Sequence, residues 1–173
     1  MTGTETGGYI ANLSREIGSG LRGLPQTFRA RQTDYLCREQ REDGGFGGRK
    51  GGSDLYYTHF GLWALDVLDT PPGNYCWKAA AQFLRHHAPE PEDIPDCLAL
   101  AHGCHILHTR GHVVDAGAAA KVLKKRVGGP FGKGPASLYY AFLAGLAGKL
   151  LGLREPSRKR VARFVNSRRC DDG

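Results

Sequence analysis

Apolar residues crowd most sides of the stretch from Leu55 to Leu68, where Leu55, Leu62, Leu65 and Leu68 are joined by Phe60 and Trp63. That pattern predicts a helix buried over much of its surface. Pro71-Pro72-Gly73 interrupts it, and Tyr75 to His87 then reads as a helix of another kind. There Trp77, Ala80, Ala81 and Leu84 oppose Lys78, Gln82 and Arg85, so only one face is apolar. The pair recurs later. Leu138 to Leu151 is apolar and rich in Ala and Gly, and Pro156-Ser157 open a basic segment to Arg169 with Val161, Phe164 and Val165 on one side. Pro25 to Gln40 predicts a further outer helix. Tyr9 to Leu21 predicts an N-terminal one, which the pattern does not place. No segment holds a period-2 alternation, so strands are not expected.

These pairs repeat at a fixed spacing. Asp54 opens DLYYTHFGLWALDVL, Asp96 opens DCLALAHGCHILH and Ser137 opens SLYYAFLAGLAGKLL, at intervals of 42 and 41 residues. GGFGGRKG from Gly44 is echoed by GGPFGKGP from Gly128, and Asp43-Gly44 recurs as Asp172-Gly173. An apolar inner helix followed by an amphipathic outer one, repeated, is the unit of an α/α stack. The expected fold is all-α.

Composition narrows the class only a little. The chain has 173 residues, 40% of them hydrophobic and 24% charged, as a globular domain does. No apolar run is long enough to span a bilayer, and the N-terminus has no apolar signal segment. Five cysteines at irregular spacing form no C-x-x-C, which reads as a reduced, cytoplasmic setting. The net charge of +7 gathers at Lys121, Lys124, Lys125 and Arg126 and between Arg154 and Arg169. Nucleic acid, an anionic small molecule and an acidic protein all fit such charge. Solvated faces of amphipathic helices explain it more simply, and nucleic acid is not favoured.

Most of the candidate chemistry lies in REDGGFGGRKGGSDLYYT, Arg41 to Thr58. It is not a nucleotide P-loop, because G-x-x-x-x-G-K-[ST] is absent and no strand precedes it. As a joint between helix pairs it needs glycines to turn, Phe46 to pack and Asp54 to cap the next helix. His102, Cys104, His105 and His108 invite a metal reading. A zinc site needs ligands converging from more than one element, and core or solvated histidines are the simpler expectation.

QREDGGFGGRKGGSDLYYTHFGLWAL resembles the repeat of the protein prenyltransferase β-subunits and of the squalene and hopene cyclases. Gln40, Gly44, Gly45, Phe46, Gly48, Arg49, Asp54, Tyr57 and Thr58 fall on that motif. The resemblance implies an α/α toroid over residues 1–173, incomplete at about three and a half repeats and truncated at the C-terminus. Its exposed inner faces would then favour self-association.

The resemblance also implies an isoprenoid diphosphate ligand and transfer of its prenyl group to a protein cysteine or related acceptor. Arg49 and Lys50 would hold the diphosphate with a hydrogen bond from Tyr57, while Tyr56, Trp63, Tyr139 and Tyr140 line the lipid cavity. It further implies an α-type partner subunit and a zinc site to which Asp54 would contribute. Here the chain departs from the family, since Tyr56 and Tyr57 stand where the zinc-binding Cys and His belong. A non-catalytic helical-repeat scaffold is the competing expectation. A fragment of a terpene cyclase is another, although Asp171-Asp172 aligns with the glycine motif and not with a D-x-D-D acid.

Overall fold

Asp54 ends the glycine loop and starts a helix for a local reason: its carboxylate accepts the Tyr57 N–H at 2.7 Å, satisfying a donor that the first helical turn leaves open. The helix it caps is one of eight in the computed structural model, which describes residues 8–87, 91–128, 138–153 and 155–168. These are α1 (Tyr9–Arg22), α2 (Gln26–Glu39), α3 (Leu55–Val67), α4 (Tyr75–His87), α5 (Ile94–Thr109), α6 (Gly117–Gly128), α7 (Leu138–Leu150) and α8 (Glu155–Asn166). Among the described residues there is no strand, only an isolated bridge between Phe46 and Asp54. The all-α expectation therefore holds.

The helices form layers. α3, α5 and α7 pack side by side, with α5 central and buried on nearly every side from Ile94 to Leu107. α4 packs on this layer against α3 and α5, α6 against α5 and α7, and α8 against α7. Their apolar stripes supply Trp77, Phe83 and Leu84 from α4, Leu123 and Val127 from α6, and Phe164 from α8. Each such side chain stabilises the fold by about 1.5–3 kcal/mol on burial, and this holds the two layers together. Arg110, just past α5, ties the layers at one end. It sits over the Trp77 ring, donates to Asp66 at 2.7 Å and donates to the Thr70 carbonyl at 3.2 Å.

In the middle repeat the helix starts ahead of the Asp96 repeat marker. Asp93, not Asp96, receives the first-turn N–H of α5, at 3.0 Å from the Asp96 nitrogen. Pro95 in the first turn has no N–H to leave without an acceptor, so the start can slide back to Asp93. Ser137, the glycine echo at 129–135, Cys170 and Asp172-Gly173 lie outside the described residues.

α2 is held differently from the others. It buries only Thr33 and Cys37, too little apolar surface to fix a helix by packing. Its ties are the Thr33–Thr70 hydroxyl hydrogen bond at 3.1 Å, a hydrogen bond from Tyr75 Oη to the Cys37 carbonyl, and a disulfide from Cys37 to Cys76 of α4. The pairing departs from the reduced cysteines expected from the sequence: irregular spacing gave no sign of it, because the two cysteines meet only after the chain has folded back.

α1, which the sequence pattern left unplaced, lies across the face of the inner layer. At its N-terminal end, Tyr9 stands edge-on to Phe142 of α7, and Gly8 lies against the Lys149 side chain. Further along, Ser14 accepts the indole N–H of Trp63 on α3 at 2.8 Å, and Gly18 approaches the Val67 carbonyl. Fourteen residues of α-helix span about 20 Å, enough to cross neighbouring helices spaced about 10 Å apart.

Candidate functional site

The glycine loop is built on the end of α2. Gln40 donates through Nε2 to the carbonyls of Gly44, at 2.8 Å, and Cys76, at 3.0 Å. Arg41 reaches under the loop to the carbonyls of Gly51 and Gly48. Asp43 accepts from the Gly45 N–H at 2.9 Å and from the Ser53 hydroxyl at 2.8 Å. Gly44 has a φ of 85°, and a Cβ there would run into the Ala79 carbonyl, so this position accepts only glycine. The Asp54 N–H closes the loop on the Phe46 carbonyl at 3.1 Å.

Residues 47–53 are thus a closed projection with pinned ends. Beside it is an open cleft of about 770 Å³ lined by Glu39, Gly47, Gly48, Arg49, Lys50 and Tyr57. The sequence-predicted trio of Arg49, Lys50 and Tyr57 therefore shares one cleft. Tyr57 lies so close to Gly48 that a Cβ there would meet its ring at 2.8 Å, which is why the approach needs glycine. Arg49 and Lys50 are exposed, and neither makes an ion pair among the described residues. Glu39 is the one acid in the lining and reduces the positive potential there.

An aromatic row leaves the cleft along α3. Tyr56 meets Tyr57 edge-on at 5.7 Å and Phe60 at 4.8 Å, and Phe60 stacks near Trp63 at 6.5 Å. The spacing of 56, 60 and 63 puts them on one helix face. Tyr139 and Tyr140, also sequence candidates, stand edge-on to each other at 6.1 Å on α7, with α5 between them and α3. Tyr56, Phe60 and Tyr139 are substantially exposed, whereas Trp63 is half-buried beneath α1.

Asp54, the sequence candidate for a metal ligand, spends a carboxylate oxygen on its helix cap. Among the described residues no group of three or more His, Cys, Asp or Glu side chains could hold a metal. The residues present do not fit the zinc site that the resemblance implies. Of the histidine cluster, His102 is buried, while His105 and His108 are exposed.

His102 has a partner that the sequence reading passed over. Its Nδ1 lies 2.7 Å from Nε2 of His59, which is itself buried and stacked beside Trp63. The two are 43 residues apart, one more than the 42-residue interval, on neighbouring inner helices, and that near-coincidence was the one available signal. Burial pushes His59 down to about 4 and His102 to about 3, so both are neutral near pH 7 and one proton lies between the two facing nitrogens. Burial also pushes the Cys97 and Cys104 thiols up to about 12, so neither is a ready thiolate nucleophile.

No helix among the described residues is long and apolar enough to cross a membrane. No family model, curated protein or solved structure matches the chain.

Proposed function

We propose that the protein binds an isoprenoid diphosphate, with the diphosphate at the glycine-loop cleft and the prenyl chain along the aromatic row of α3. One observation carries this reading: Arg49, Lys50 and Tyr57 line one cleft from which Tyr56, Phe60 and Trp63 lead away. Two cations and a phenol suit a phosphate-rich head, and charge-assisted hydrogen bonds are the strong ones. Aromatic faces suit an extended apolar tail. The prenyltransferase-like repeat of the glycine loop supports the same ligand, and with it a curved α/α toroid.

If the bound ligand reacts, the step is displacement at its C1. An acceptor thiolate attacks C1, the C1–O bond breaks, and Arg49 and Lys50 hold the departing diphosphate.

A second reading, that of a ligand-binding scaffold without chemistry, is favoured by the local residues. Asp54 is committed to its cap, and Tyr56 and Tyr57 fill the places of the family's metal ligands. Titration with farnesyl diphosphate followed by tryptophan fluorescence, with Trp77→Phe to isolate the Trp63 signal, tests binding in both readings. Prenylation of a cysteine-terminated peptide in the same mixture separates them.

A further inference from the structure

α1 is weakly made and weakly held, yet it runs across the inner layer from Phe142 of α7 to Trp63 of α3. Gly18 and Gly20 sit inside the helix, where each lowers helix propensity, and Gly8 supplies no side-chain cap. Only Gly18 of α1 is buried, and Tyr9 is 59% and Ile17 39% exposed. Among the described residues, the Trp63–Ser14 bond is the one side-chain hydrogen bond between α1 and the rest of the fold. The packing beneath it is incomplete too. An open cavity of about 200 Å³ lies between Ile10 and Ala11 of α1, His105 of α5, and Leu146, Lys149 and Leu150 of α7. A helix this short and glycine-rich is marginal without its packing, and segments with few buried contacts open first.

We propose that α1 is a displaceable strap: it occupies the inner face of α3, α5 and α7, and it lifts as a unit to admit a long apolar chain there. The strap carries its own latch, the Trp63 indole bonded to Ser14, and that tryptophan ends the aromatic row leading from the cleft. A chain extending along the row beyond Phe60 therefore meets α1. The isoprenoid identity of that chain rests on the function proposed above, whereas the lifting of α1 does not.

Two substitutions move the strap in opposite directions without touching the core. A Cβ at Gly20 meets nothing within 4 Å, so Gly20→Ala strengthens α1 alone. Ser14→Ala removes the latch. Hydrogen exchange of the full chain, read by mass spectrometry, should show α1 exchanging faster than α5. Gly20→Ala should slow exchange in α1 about five-fold, the effect of replacing an exposed helical glycine by alanine. Ser14→Ala should speed it about five-fold, the effect of one lost hydrogen bond. Binding of 1-anilinonaphthalene-8-sulfonate, an anionic dye that reports exposed apolar surface, should rank Ser14→Ala above the unmodified chain and Gly20→Ala below it.

The strap is refuted if α1 exchanges together with α5, or if neither variant changes its rate. Farnesyl diphosphate should accelerate exchange in α1, and binding with no such change also refutes it. If α1 responds to both substitutions while farnesyl diphosphate fails to bind, the strap stands and the isoprenoid reading falls.

Discussion

Thr58 joins loop to helix: its Oγ1 accepts the Phe46 N–H at 2.9 Å and faces the Phe46 carbonyl at 3.4 Å, with no exposed surface. This pair explains why a hydroxyl stands one turn after the Asp54 cap. Thr58→Val keeps the shape but leaves a buried N–H unpaired, which costs about 1–3 kcal/mol. Urea denaturation should show that loss, and Thr58→Ser should recover part of it. Equal midpoints for Val and Thr would remove the hydroxyl from the account.

The His59–His102 pair should make stability depend on pH. Both imidazoles have folded values below the ordinary 6.5, so the unfolded chain binds more protons between about pH 3 and 6.5. Their contribution is full above about pH 6.5 and is lost as pH falls toward 4 and 3. Between pH 7 and 5 each should lose about 2 kcal/mol. Replacing both, as His59→Phe with His102→Leu, should flatten that part of the profile. A slope unchanged in the double variant would place its origin elsewhere.

Reduction of Cys37–Cys76 should loosen α2, since little apolar packing holds that helix. A crosslink closing a loop of this size contributes about 2–4 kcal/mol. Thermal melting with a phosphine reductant should therefore fall by several degrees, and Cys37→Ser should melt at the reduced value in either condition. Cys37 Sγ lies 3.5 Å from Asn74 Oδ1, so a thiol freed by reduction has an acceptor within reach. A melting temperature insensitive to reductant would contradict the tether.

Much of this fold was legible because its signals are local. The bounds of α3 and α4 follow from the apolar run at Leu55, the Asp54 cap and the Pro71-Pro72-Gly73 break. The glycine loop was legible as a joint. Gly61 was not singled out, although the Phe46 ring lies where its Cβ would be, 2.6 Å away. That approach exists only between the loop and a helix turn brought together in space. The Cys37–Cys76 bond, the His59–His102 pair and the path of α1 were likewise unreadable, because each depends on how separate helices meet. Arg49, Lys50 and Tyr57 were readable as candidates through the motif, and the structure adds that they share a cleft with Glu39.

The most direct measurement is a fluorescence titration of the intact chain with farnesyl diphosphate, repeated on Arg49→Ala and Lys50→Ala. The account predicts saturable binding, with each substitution weakening affinity about ten-fold or more, as the loss of a charged hydrogen bond does. Farnesol should bind more weakly than the diphosphate and be indifferent to both changes. No saturable binding, or equal affinity in all three proteins, would contradict the proposal.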